Sequence, residues 1–172
     1  MPGSRILISS QTLSSSTASI TFNSIPSIYK DLILRASVRT TASGAFSNLE
    51  LVLNSNTGAV YSYTRLLGYG SGTSSDRSSS TNAGNISYAN GDTSTANIFS
   101  SLEVYIPSYT ASQNKPISSI TMQENNQATA YIYPTAQLFS STTTISSIQI
   151  NEGSGNNLIT NSTFYLYGLK AS

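Results

Sequence analysis

Between Lys30 and Arg39 the apolar side chains Leu32, Leu34, Ala36 and Val38 alternate with Asp31, Arg35, Ser37 and Arg39. A period of two sends each set to one side of a pleated backbone, so this segment reads as a β-strand with one face on a core. A helix would scatter the same residues around its circumference. Only Ile33 breaks the pattern. The alternation returns at Leu49, Leu51 and Leu53 around Glu50, and at Leu102, Val104 and Ile106 against Ser101, Glu103 and Tyr105. Ile20 with Phe22 and Ile148 with Ile150 mark further strands, in segments rich in β-branched and aromatic residues. No stretch of a dozen residues carries apolar positions at helical spacing.

Turn chemistry separates these runs: Asn23 to Pro26, Ala42 to Gly44, Asn54 to Gly58, Asn90 to Asp92, Gln113 to Pro116, and Glu152 to Asn157. Asn90-Gly91 suits a tight type I′ hairpin, whose central residues both need positive φ. From Gly68 to Asn85 the chain is mostly Gly, Ser and Thr, which predicts a Ser-rich surface loop over residues 70–85. About ten short strands without helices in 172 residues point to an all-β fold, a β-sandwich or a barrel. A jelly-roll sandwich fits this length best. No repeat of fixed period divides the chain, so a single domain over 1–172 is expected, with a short N-terminal arm at residues 1–5.

Such a domain would keep itself in solution in an unusual way. Domain surfaces commonly draw about 25–35% of their residues from the charged types. Here only 9% of the chain is charged and the formal net charge is +1. Serine, threonine and asparagine, at 35, 20 and 15 residues, have to form the surface instead. Hydrophobic residues still make up 38% and fall in patterned runs, which separates this chain from a disordered one. The eight Lys/Arg and seven Asp/Glu form no run, which argues against a nucleic-acid or membrane surface as partner. Ile6 to Ile8 is too short for a signal-peptide core, and no apolar run approaches the length of a membrane span.

Cysteine and histidine are both absent. Thiol nucleophiles, Ser-His-Asp triads and the common zinc sites are therefore excluded, and most hydrolase chemistry goes with them. No catalytic, cofactor-binding or metal-ligating residue is expected. Gly68-Tyr69-Gly70-Ser71-Gly72 lacks the Walker spacing and its Gly-Lys-Ser/Thr ending, and reads as a hairpin loop. The seven carboxylates Asp31, Glu50, Asp76, Asp92, Glu103, Glu124 and Glu152 read as solvated or locally bonded groups rather than a glycosidase pair, and no calcium-loop pattern occurs. Asn85-Ile-Ser87 and Asn161-Ser-Thr163 match the glycosylation pattern, as chance would produce in this composition.

Tyrosine is the more informative residue. Six of the 11 form i, i+2 pairs, Tyr61 with Tyr63, Tyr131 with Tyr133, and Tyr165 with Tyr167, each pair on one face of a strand. In the last strand Phe164 and Leu166 take one face while Tyr165, Tyr167 and Leu169 take the other, so neither face suits water. Packing within the fold, a subunit interface and a sugar-stacking surface all remain open for these rings. The second makes Tyr165, Tyr167 and Leu169 the candidate subunit contact.

Ile20-Thr-Phe-Asn-Ser-Ile-Pro26 followed by Tyr29-Lys-Asp-Leu-Ile-Leu-Arg35 resembles the opening of a family of tailed-bacteriophage virion proteins. Tyr61 to Ser71, Gln123 to Asn126, Ile145 to Ile148 and Tyr165 to Lys170 are similar to the same group, so the resemblance spans nearly the whole chain. It implies a non-enzymatic β-sandwich of a phage particle, a cement or decoration protein of the head, in phages that include those of cyanobacteria. Made in the host cytoplasm, it would reside in the virion, bound to the major capsid protein or other virion subunits. A homotrimer would match the local threefold positions of a head lattice. The alternative is a module on a tail or head appendage that binds host-surface polysaccharide.

Overall fold

The structure, a computed structural model, describes residues 4–127 and 130–170. Twelve strands make it up: β1 (Arg5–Thr12), β2 (Ser19–Phe22), β3 (Asp31–Val38), β4 (Phe46–Leu53), β5 (Tyr61–Tyr69), β6 (Gly72–Thr81), β7 (Gly84–Asn90), β8 (Ser100–Ile106), β9 (Lys115–Gln123), β10 (Tyr131–Phe139), β11 (Ile148–Glu152) and β12 (Thr163–Leu169). Among the described residues there is no helix. Two antiparallel sheets face each other as a sandwich, a large one in the order β1-β12-β3-β8-β9-β10-β5-β6 and a small one in the order β2-β11-β4-β7.

The pairing is nested. β5 pairs with β6, β4 with β7, β3 with β8 and β2 with β11. The chain from β2 to β11 is thus one long ribbon folded over on itself, its rungs shared alternately between the two sheets, which is the jelly-roll path. The β9–β10 hairpin is inserted between β8 and β5, and the β1–β12 pair is added outside β3.

Alternation set the core as the pleat requires. Leu32, Leu34, Val104, Phe164 and Leu166 of the large sheet meet Ile20, Leu49, Leu51, Ile148 and Ile150 of the small sheet in one buried cluster. Two buried cations hold the loops at its ends, each bonded to backbone carbonyls. Arg39, 5% exposed, donates from Nη1 to the carbonyls of Thr95 (2.7 Å) and Ile98 (3.1 Å), and from Nη2 to those of Asp92 (3.2 Å) and Ser94 (3.0 Å). Lys115 Nζ donates to the carbonyls of Ala111 (2.8 Å), Gln113 (2.5 Å) and Ser141 (3.3 Å), and desolvation pulls its ammonium pKa down.

The all-β sandwich expected from the alternation is the fold observed, with twelve strands among the described residues. Other sequence expectations change. The Ser-rich segment 70–85 is not a loop: Gly72–Thr81 forms β6, paired with β5 from Tyr69↔Gly72 to Tyr61↔Thr81, and only Gly70 with Ser71 and Asn82 with Ala83 lie outside strands. Gly70 takes a φ of 49° there. Ser and Thr carry no apolar signal, but their backbones pair as well as any, and an edge strand needs no apolar outer face. Of the arm expected at 1–5, Met1 to Gly3 lie outside the described residues, and Arg5 already opens β1 opposite Leu169. Asn90-Gly91 closes no hairpin. Asn90 ends β7, fully buried, and the chain then crosses from the small sheet to β8 in the large one. Gly91 is required for room, since a Cβ there would lie 2.2 Å from the Gly44 carbonyl oxygen.

Candidate interaction surface

β9 and β10 are amphipathic in the reverse sense. Beside the buried ring of Tyr133, most of their inward positions are polar and buried: Ser119, Thr121 and Gln123 on β9, Thr135 and Gln137 on β10. Their outward positions include Ile120 (36% exposed), Met122 (53%) and Ile132 (49%). The cause lies in what covers them. β7, the edge strand of the small sheet, passes over this hairpin and its free edge needs hydrogen-bond partners. Ser119 Oγ donates to the Ile86 carbonyl (2.8 Å), and Gln123 Nε2 to the Asn90 side-chain oxygen (2.8 Å) and the Ala45 carbonyl (3.1 Å).

With polar residues drawn inward, the apolar ones of this hairpin are left outside. One cross-strand row runs Tyr165–Arg35–Glu103–Ile120–Pro134 over five strands. Beside it Met122 faces Ile132, and Leu66 projects outward from β5 between the inward Arg65 and Leu67. At the other end Leu7 faces Tyr167. Of the eight large hydrophobic side chains that are exposed among the described residues, these rows hold six: Leu7, Leu66, Ile120, Met122, Ile132 and Tyr165. Single exposed apolar residues are ordinary, but these six share one face of one sheet. The Arg35–Glu103 ion pair, Nη2 to Oε2 at 2.6 Å, crosses the middle.

Tyr165, Tyr167 and Leu169 all lie on this outer face, with the two rings 6.5 Å apart and nearly parallel. Phe164 and Leu166 of the same strand are fully buried in the core. The carboxylates act as local acceptors. Asp31 takes bonds from the Tyr105 hydroxyl (3.0 Å) and the Ser108 N–H (2.8 Å), and Glu152 from the N–H groups of Ser154 (2.8 Å) and Asn156 (2.7 Å). Glu50 accepts from Asn151 Nδ2 (3.2 Å); burial pushes its pKa up, the Asn151 bond opposes this, and the nearby charge of Glu152 adds to it. Among the described residues no cluster of three acidic groups could hold a metal ion.

The other tyrosine pairs lie on the inner side of the large sheet. Tyr61 is in the core, stacked on Phe139 at 5.0 Å, and its hydroxyl accepts from the Leu53 N–H (2.9 Å). Beyond β7 the large sheet continues for β5 and β6, and past the buried Tyr61 their inner side carries a polar cluster. There Arg65 makes a two-pronged contact with Asp76, Nη2 to Oδ2 at 2.6 Å and Nε to Oδ1, and donates from Nη1 to the Tyr133 hydroxyl. The Tyr133 hydroxyl in turn donates a hydrogen bond to Asn85 Oδ1 (3.2 Å), and burial keeps that phenol protonated by pushing its pKa far up against the pull of Arg65. The guanidinium carbon lies 5.0 Å from the Tyr63 ring centre, 5.1 Å from Tyr133 and 5.8 Å from Tyr88.

Sequence reasoning singled out Tyr165, Tyr167 and Leu169 of the outer face but not Leu66, Ile120, Met122 or Ile132, and it did not bring Arg65 to Asp76. Arg65 and Asp76 sit 11 residues apart in segments without motif, and only the β5–β6 register places them opposite each other.

No protein-family model and no curated protein matches the chain. Among solved structures, it is similar to the galectin LEC-6 of Caenorhabditis elegans at 11% identity, over 97% of this chain and 96% of the galectin, with a TM-score of 0.35. It is also similar to scytalido-glutamic peptidase, solved with a transition-state analog inhibitor, at 14% identity, over 91% of this chain and 66% of the peptidase, with a TM-score of 0.28. Likenesses of that depth carry no statement about what the chain does.

Proposed function

We propose that the chain is a structural protein of a tailed-phage particle, a cement protein that seats the outer face of its large sheet on the head lattice as a homotrimer. The observation that carries this reading is the gathering of six exposed hydrophobic side chains on that face. A composition with 9% charged residues and no cysteine supports it, because a contact built on area and neutral polar groups is little affected by salt or oxidation outside a cell. The row divides at Arg35–Glu103. Ile120, Met122, Ile132 and Leu66 on one side contact the lattice; Tyr165, Tyr167 and Leu169 on the other join the subunits of the trimer.

Heads assembled without this protein test the reading. Wild-type protein added back should bind and raise the temperature at which the heads rupture, whereas Leu66→Ser with Ile120→Ser and Met122→Ser should not bind. Binding of that variant at wild-type level would refute the assignment of the face. Tyr165→Ser with Tyr167→Ser should reduce the mass measured by light scattering to that of one chain, and an unchanged mass would remove the trimer contact from β12.

A further inference from the structure

The inner side of β5 and β6 is a second surface, built differently from the outer one. Three of the five guanidinium N–H groups of Arg65 are engaged, two by Asp76 and one by Tyr133, so its direction is fixed. The Arg65 side chain is 11% exposed, while that of Asp76 is 48% exposed and keeps lone pairs facing solvent. Around this pair runs a chain of rings: Tyr69 to Tyr131 at 5.6 Å, Tyr131 to Phe46 at 4.8 Å, Phe46 to Tyr88 at 4.6 Å, and Tyr88 to Tyr133 at 4.7 Å. Tyr69, at the open end, is 41% exposed. Ser74 and Ser78 border Asp76 on the same side of β6, opposite Leu67 and Tyr63.

We infer that this face of β5 and β6 binds a neutral oligosaccharide. The guanidinium and the carboxylate cancel each other's charge, so the face attracts neither phosphate nor a cation, which would each meet the like-charged partner. What it offers is a carboxylate and two hydroxyls for vicinal sugar hydroxyls, and an exposed ring face against which the C–H side of a pyranose can lie. Arg65 holds Asp76 in one orientation before any ligand arrives, which lowers the ordering cost of binding. The ligand is therefore a chain of unsulfated, uncharged sugar units lying along β5 and β6. This inference stands apart from the particle role, since it uses the opposite side of the sheet.

An array of neutral and sulfated oligosaccharides, followed by amide-detected titration of the isolated protein with neutral hexose and N-acetylhexosamine tetrasaccharides, tests it. At least one neutral chain should saturate, with shifts confined to β5, β6 and β7 and little dependence on salt. Tyr69→Ala should weaken that binding by about tenfold, or about 1.4 kcal/mol, with an unchanged unfolding temperature, because Tyr69 lies at the edge of the ring chain. Asp76→Asn should weaken it further. Absence of any saturating neutral chain, binding only of sulfated chains with steep salt dependence, or equal binding by wild type and Tyr69→Ala would each overturn the assignment.

Discussion

The two sides of β5 teach how one strand can serve two kinds of contact. On the outer side Ser62, Thr64 and Leu66 are exposed or half-buried, and none of the side-chain hydrogen bonds described above involves them. On the inner side Tyr61, Tyr63 and Arg65 engage the core, a carboxylate, a phenol and several rings. The outer side offers apolar area, and whatever covers it gains from releasing water. The inner side offers fixed directions. Stability should therefore depend strongly on the inner residues and hardly on the outer ones, while association should depend on both.

Four variants sharpen this contrast, each read as a change in unfolding free energy from denaturant titration. Arg65→Ala should cost most, about 2 kcal/mol, because it leaves Asp76 and the Tyr133 hydroxyl without their cation partner. Tyr133→Phe keeps the ring packing but removes the bridge between Arg65 and Asn85, and should cost about 1 kcal/mol. Equal costs for the two would mean that the cation acts only through Tyr133.

Glu50→Gln should be slightly stabilising at neutral pH and neutral at pH 4. The sign follows from its raised carboxyl pKa: the folded state holds a proton that the unfolded state has lost, so wild-type stability falls as pH rises from the ordinary carboxylate value of 4.5 through the folded one. A destabilised variant at pH 7 would show that the Asn151 bond outweighs the burial of the charge. Per site, the outer-face triple variant Leu66→Ser, Ile120→Ser, Met122→Ser should change stability least, within about 0.5 kcal/mol, while abolishing attachment to heads. A large loss of stability there would place these side chains in the fold and undo the contrast.

Much of the sandwich could be read from alternation alone. Leu32, Leu34 and Val38, like Leu49, Leu51 and Leu53, sit in the core because one strand face meets one core face. Where a strand meets the bare edge of another, the rule inverts. Ser119 and Gln123 are inside because the β7 edge needs donors, and Ile120 and Met122 are outside as a consequence. β6 was invisible for a different reason: as an edge strand of Ser and Thr it has no apolar face to declare it. The outer placement of Tyr165, Tyr167 and Leu169 follows directly from their alternation with Phe164 and Leu166. The pairing of Arg65 with Asp76 does not, since it depends on a hairpin register that the composition of β6 does not encode.

The nested ribbon also governs how the chain can be made. β11 lies between β2 and β4, and β12 between β1 and β3, yet both come after residue 147. A nascent polypeptide that has reached only Ser147 therefore has four strand edges open in its two sheets, beside Ile20, Phe22, Leu51 and Leu53. Closing β2 onto β11 spans more than a hundred residues, an entropic cost that falls only once the inner rungs have formed. Folding can then finish only once these last strands have been made, β11 joining β2 to β4 in the small sheet and β12 joining β1 to β3 in the large one, and until then the waiting edges are open to neighbouring unfinished copies.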